Sequence, residues 1–410
     1  MRDQAFTRDR QLVFSLMIVM ILRKSVKSIQ QVLNEVMTWL NVPPVTASAF
    51  SQARYQIKHE AFIELNQKAI VRAMYEEGDY RTFWGFRILA IDGSRVTLPD
   101  NEGIRKEFGT IPYSNGKTGA IRGERPYAQA SVLYDVLNRV ALDARFDPAR
   151  TYEVNQAVSH LKHTQSTDLL LMDRNYPAYR MIAEMVQHSR HFVVRCSARS
   201  FKEARQMLKG EGPDSQSVKL KPCHTQIRLI RQLGLPTSVR VRFVRVQLST
   251  GEWEVLVTSL LDEVLYPTPE FQALYYLRWG VETFYGLLKT RLELENFTGQ
   301  GVEAVRQDFH ATVYLSGLES ILTDSAQDQL NQKTTRHPQQ VNRAVSFHAI
   351  KSNLLELLQS DQDTETLCQT LTELFLTNPV SKRQERNPPR KKSSDRSLLD
   401  FHKRQRKHCF

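Results

Sequence analysis

Two short apolar runs that each close on an aspartate constrain this chain more than any other feature. Arg87-Ile-Leu-Ala-Ile-Asp92 is followed by Gly93, and Asp168-Leu-Leu-Leu-Met-Asp173 by Arg174. Runs this short and apolar fit buried strands. An acid inside such a strand is costly unless paired. An acid at the carboxyl end has somewhere to work, because functional side chains of open α/β sheets collect beyond the carboxyl ends of strands. Asp92 and Asp173 are therefore candidate functional residues.

The surrounding sequence reads as further core elements. Residues 128–136 and 138–146 are strand candidates meeting near Asp135-Val-Leu-Asn138, 154–163 and 177–188 suit helices, and 191–196 suits a strand. Three strands, helix, strand, helix, strand is the order expected of an RNase H-like core. The expected fold is thus α/β, a mixed five-stranded sheet with flanking helices, its first part over 85–200. Residues 201–266 read as a β-rich insertion with strands at 218–230, 239–248 and 253–259. Within it Val239-Arg-Val-Arg-Phe-Val-Arg-Val246 alternates in part, giving one apolar face and one basic or solvated face. A second β-domain without a link to chemistry is the competing reading. Thr268-Pro-Glu270 resembles a helix start, with Thr268 as cap and Pro269 in the first turn. That helix is expected to run to about Leu294, with Gly280 and Gly286 as weak points, and a helix at 301–330 completes the core over 267–330.

Helical regions flank this core. Residues 1–75 carry Leu12, Leu16, Val19 and Met20, then Ile29, Val32, Leu33 and Val36, at helical spacing, with Ser28 as a cap and Pro43-Pro44 as a break. This region is either a DNA-contacting module or a plain packing domain. Residues 331–380 form a helical C-terminal region, with a helix at 345–376, and residues 381–410 carry eleven Lys or Arg against three acids. That tail is expected to be disordered, touching DNA or only solubilising the chain end.

The formal charge of +12 favours a polyanionic partner, nucleic acid before anionic membrane. Cys196, Cys223, Cys368 and Cys409 contain no CxxC pair, which argues against a zinc ribbon and a disulfide scaffold and fits a reducing compartment. Phe14–Leu22 is too short to span a bilayer, which takes about 20 apolar residues, so a buried helix is expected there.

Tyr275, Arg278, Glu282 and Lys289 fall within about 60° of one helix face if the helix is regular. Taken alone, such a stripe also describes an ion-paired solvent face. However, Tyr275-x-x-Arg278-x-x-x-Glu282-x-x-x-x-x-x-Lys289 resembles the YREK signature of DDE transposases encoded by bacterial insertion sequences. Ile91-Asp92-Gly93-Ser94 resembles the family's first motif and Asp173-Arg174-Asn175-Tyr176-Pro177 its second, with Asn175 where members often have Gly. Asn tolerates the left-handed conformation that such a Gly adopts. The likeness extends over roughly residues 6–350, and Phe6-Thr-Arg-Asp-Arg10 resembles a segment that relatives often precede with more chain.

The resemblance implies that Asp92, Asp173 and Glu282 hold two Mg²⁺ ions, with Mn²⁺ able to substitute. It implies DNA contacts for Arg278 and Lys289. Tyr275 either binds a phosphate or orients Glu282, and Trp279 either stacks on a displaced base or packs in the core. The implied reaction is hydrolysis at element ends, then attack of the freed 3′-hydroxyls on target DNA, in a cut-and-paste pathway with a hairpin intermediate. Implied partners are double-stranded DNA with terminal inverted repeats, target DNA and a second copy of the chain in a synaptic homodimer. No membrane is involved, and the setting is the bacterial cytoplasm. Three clustered carboxylates repel one another without cations, so raised acid pKa values or local disorder are expected in the metal-free site. An RNase H-like nuclease, a noncatalytic DNA-binding remnant of a transposase and a protein whose acids are structural remain rival readings.

Overall fold

The apolar runs form strands because the register between them leaves no polar group to bury except at their ends. In the computed structural model, which describes residues 12–24, 27–76, 79–114, 121–248, 251–359 and 364–382, the sheet strands are β1 (Arg87–Thr97), β2 (Thr110–Ser114), β3 (Ile121–Asp135), β4 (Val140–Pro148), β5 (Asp168–Met172), β6 (His191–Arg195), β7 (Ser215–Leu220), β8 (Val239–Gln247) and β9 (Trp253–Thr258). The Phe6–Arg10 segment, Cys409 and nearly all of the basic tail lie outside the described residues. β1 and β5 pair in parallel from Arg87↔Asp168 to Ile91↔Met172. The intervening residues Ile88 to Ile91 and Leu169 to Met172 are fully buried. At the amino ends Arg87 clamps Asp168 through two 2.8 Å hydrogen bonds, which neutralises the two buried charges against each other.

The chain divides into two compact units, one made of Met1–Glu76, Val96–Ala128 and Leu287–Phe410, the other of Glu77–Arg95 and Gln129–Gly286. β1 and β3 each run from one unit into the other. In the second unit the strand order is β4-β3-β1-β5-β6-β9-β8-β7. β5–β6 is parallel, and β6–β9, β9–β8 and β8–β7 are antiparallel. The five strands expected for the core are the run from β4 to β6, but a five-stranded sheet is not what forms. The inserted strands add to the β6 edge instead of making a separate layer, and β2 pairs with the amino-terminal part of β3, giving nine. Pairing covers a sheet edge that would otherwise expose its backbone groups.

Helices Glu153–His160 and Tyr179–Gln187 separate β4, β5 and β6 in the chain, giving the expected alternation. Between β3, β4 and the first of these helices, Ser131 Oγ lies 3.0 Å from His160 Nε2, and His160 Nδ1 lies 2.8 Å from Asp143 Oδ2. The groups resemble a hydrolytic triad, but Ser131 and His160 are buried, which leaves no room for a substrate. Burial alone would raise the Asp143 carboxyl, yet the His160 hydrogen bond and nearby cations hold it at about 2. This network satisfies the interior polar groups.

Three local expectations are corrected. The strand expected over 218–230 ends at Leu220, and Ile227–Gln232 is helical. Pro222 cannot donate to a ladder, so pairing stops before it. Arg240 is exposed as expected, but the other two arginines of β8 do not join it in a solvated face. Arg242 is fully buried, donating to Ser215 Oγ, the Tyr266 carbonyl and Thr268 Oγ1, while Arg245 bonds Asp214 and the carbonyls of Met207, Glu211 and Gly212. Thr268 consequently serves as an acceptor for Arg242 rather than as the helix cap, and the chain there is a 3₁₀ turn over Thr268–Glu270.

In the first unit, Phe14–Leu22 is a helix buried from Leu16 to Leu22, and no helix among the described residues is long and apolar enough to cross a membrane. Ser28 caps Ile29–Trp39 in a capping box with Gln31. Arg54, at the end of Ala47–Arg54, turns inward to the long helix Val302–Gln332. It donates to Gln307 Oε1, the Ala304 carbonyl and Asp308 Oδ1, and to Thr298 Oγ1.

Candidate metal and DNA site

The parallel register fixes where the first two acids stand. Ile91 faces Met172, so Asp92 and Asp173 are the next residue on each strand, directly past the end of the pairing. β1 does not end at Asp92 as the sequence suggests. It continues to Thr97, while its pairing with β5 stops at Ile91. Asp92 thus works at the carboxyl end of the β1–β5 pairing rather than of β1 itself. Asp173 begins a turn in which its Oδ1 accepts from Asn175 N–H at 2.8 Å and its carbonyl from Tyr176 N–H at 3.2 Å. Asn175 does not adopt a positive φ, so its tolerance of left-handed backbone is not used.

Glu282 arrives on a broken helix. Instead of one helix over 268–294, the chain forms Phe271–Tyr276, a turn at Leu277 and Arg278, Trp279–Gly286 and a π-helical segment Leu287–Arg291. Leu277, Arg278 and Gly280 each donate to the carbonyl three residues back, which tightens the backbone there. The regular 100° step therefore fails across the stripe, and Lys289 lies on the π-helical segment, in the other unit.

Two tyrosines fasten the helical segments to the strand ends. Tyr275 Oη donates to the carbonyl of Met172 at 3.2 Å, and Tyr285 Oη donates to the carbonyl of Asp92 at 3.0 Å. Each bond lands beside one of the two aspartates, and Glu282 lies between the tyrosines in sequence. Arg278 is buried, and its Nη2 holds Glu282 Oε1 at 2.7 Å. Its guanidinium stands 5.7 Å from the Tyr275 ring centre and 4.9 Å from that of the half-exposed Trp279. Of the four residues expected to contact DNA, Tyr275 and Arg278 are buried, each bonded to a part of the acid site.

Charge follows geometry. Burial, with the Asp173 and Glu282 carboxylates nearby, pushes Asp92 up to about 7, against the opposing Gly93 N–H and Arg278. Burial and Asp173 also raise Glu153, a carboxyl that no motif marks. Glu153 and Gln129 lie against Gly93, where an added Cβ would come within 2.8 Å of Gln129 Nε2 and 3.3 Å of Glu153 Oε1.

The donor set is all carboxylate oxygen, which suits hard divalent cations. Among the described residues, only His59, Glu60 and Glu303, in the first unit, bring three ligand atoms within 4.8 Å of one another. The ligand oxygens of Asp92, Asp173 and Glu282 are not gathered within that distance of one another. A consequence is testable by calorimetry in EDTA. A carboxyl whose pKa is raised from 3.8 to about 7 on folding contributes stability that is fully present below pH 4 and lost as pH rises through 7. Asp92→Asn is expected to melt higher than the wild type at pH 8, by at most about 4 kcal/mol, and to converge with it at pH 4. A wild type that melts higher at pH 8 contradicts the raised pKa.

Comparison with known proteins gives the site its context. Residues 84–315 match the transposase DDE domain family. The chain is 24% identical over 300 residues to transposase InsG for insertion sequence element IS4 of Escherichia coli (strain K12), across 71% of this chain and 65% of that protein, so it spans just under two thirds of that relative's length. A piggyBac transposase synaptic complex with hairpin DNA superposes over 92% of this chain and 78% of that one, with a TM-score of 0.43 and 10% identity. Since the family match takes in more than half of the sequence, including Asp92, Asp173 and Glu282, the chain belongs to the transposase DDE domain family.

Proposed function

We propose that this protein is a metal-dependent DNA transposase with an RNase H-like core, which cleaves the ends of an insertion sequence and joins them to target DNA by cut-and-paste. One observation carries the reading. Asp92 and Asp173 leave paired strands side by side, and the tyrosines flanking Glu282 are bonded to the backbone at those same two points. Asp92, Asp173 and Glu282 would hold two Mg²⁺ or Mn²⁺ ions, which supply activation of the attacking hydroxyl and charge neutralisation at the scissile phosphate.

The chain's own residues prepare this site. Tyr275 and Tyr285 fix the segment carrying Glu282, so the carboxylate is positioned by bonds outside the flexible side chain. Arg278 is ion-paired with Glu282 and offsets its charge. Its Nε has no hydrogen-bond partner, which leaves donor capacity for a phosphate oxygen. Trp279, partly exposed beside it, is proposed to meet the DNA, and Lys289 to contact the transferred end. Ends with terminal inverted repeats are cut in pairs, so a homodimer is the proposed active assembly, acting in the bacterial cytoplasm. The test incubates the protein with its flanking repeat DNA, a target plasmid and Mg²⁺. Joined products with staggered insertion are expected, and degradation without joining would favour a nuclease.

A further inference from the structure

A fourth carboxylate and an orphaned hydroxyl stand at the same strand ends. Glu153 begins the helix that follows β4, and its Oε1 accepts from Gln129 Nε2 at 3.1 Å. Together they press on Gly93, directly beside Asp92. The Glu153 carboxylate is also an electrostatic neighbour of Asp173. The independent observation is Tyr176. It is 1% exposed, and its Oη has no hydrogen-bond partner. The carboxylates near enough to act on it are Asp92, Glu153 and Asp173. A buried hydroxyl left without a partner is costly, and the cost is removed when a ligand oxygen arrives.

We infer that Glu153 is a further acidic residue of the divalent-cation site, on the Asp173 side, and that the Tyr176 hydroxyl donates to an oxygen brought in with the cation. This rests on the proposed metal-dependent reading and extends it beyond Asp92, Asp173 and Glu282. Gln129 then acts as a positioning residue, holding Glu153 by the bond its amide already makes. A Cβ at position 93 would meet the Gln129 amide and the Glu153 carboxylate, which places that pair directly beside Asp92.

Titration calorimetry of the full chain with Mn²⁺ alone, at pH 8, tests this without reference to activity. Glu153→Gln is expected to weaken Mn²⁺ binding about 10- to 100-fold, the range seen when residues around a metal's direct ligands are lost. Tyr176→Phe is expected to weaken it several-fold, with Glu252→Gln, on an exposed acid, as the unchanged control. Unaltered Mn²⁺ affinity in a folded Glu153→Gln protein overturns the inference. Should that variant fail to fold, Glu153→Asp decides, since it keeps the charge but withdraws it by one methylene. A drop in affinity supports the role, and wild-type affinity ends it. Asp92→Asn separates the two readings. Loss of Mn²⁺ binding there with none in Glu153→Gln removes only this inference, whereas a wild type that binds no Mn²⁺ removes the metal-dependent function itself.

Discussion

Under the proposed function, Asp92→Asn, Asp173→Asn and Glu282→Gln are each expected to lower the rate of end cleavage and strand transfer on the order of 10³-fold or more while the protein stays folded. The magnitude follows from the chemistry. Stabilisation of charge at phosphorus by held cations is worth several kcal/mol, and about 4 kcal/mol is a factor of 10³. The structural cost is small at these positions. Asp92 is the acid whose charge the fold resists, so its neutralisation stabilises the metal-free protein. At 282 an amide oxygen still accepts the Arg278 hydrogen bond. Single-turnover cleavage of labelled repeat DNA, with melting curves run beside it, is the decisive measurement. Three folded variants that all cut at the wild-type rate remove the acids from the mechanism.

The second large effect is on stability. Asp308→Ala is expected to destabilise the protein by about 3–5 kcal/mol, the cost of removing one partner of a buried ion pair. Asp308 is fully buried, and it accepts from Arg54 at 2.7 Å, from the Thr298 N–H at 2.6 Å and from the Thr298 hydroxyl at 2.9 Å. Its loss leaves the Arg54 guanidinium uncompensated in the interior. Arg54→Met alone leaves the Asp308 carboxylate uncompensated in turn, whereas the double variant Arg54→Met, Asp308→Leu removes both charges and is expected to recover part of the loss. Denaturant unfolding checks both. Equal stability of Asp308→Ala and wild type contradicts the buried pair.

Much of this arrangement is legible in the residues. Ile88 to Ile91 and Leu169 to Met172 read as core strands because no polar residue interrupts them, and an acid directly after each run has few other reasons to be there. What escaped reading has physical causes. Helix-face arithmetic assumes a uniform step, which the turn at Leu277 and Arg278 and the π-helical segment beyond Gly286 violate. The arginines of β8 alternate as solvent-facing ones do, and only the distant carbonyls and hydroxyls that receive Arg242 and Arg245 decide otherwise. Glu153 sits in no motif. Its place beside Asp173 depends on the β3–β4 hairpin returning the chain to the sheet, a long-range event with no local signal. Tyr285 lies in the stretch from Tyr275 to Lys289, but the partner of its hydroxyl, the Asp92 carbonyl, is far away in the chain.

β1 and β3 each cross between two units, and this limits what a gene of this kind can lose. A fragment cut at 77 and 286 would hold every residue of the acid-bearing unit and still carry the stretch Val96–Ala128, which belongs to the other. Ile104 and Phe108 in that stretch are fully buried, Phe108 beneath the Arg306 guanidinium, and in the fragment they would stand in water. Erosion of either flank therefore yields a sticky polypeptide rather than a smaller working enzyme, so decay of such a copy should be abrupt, without a viable trimmed form along the way.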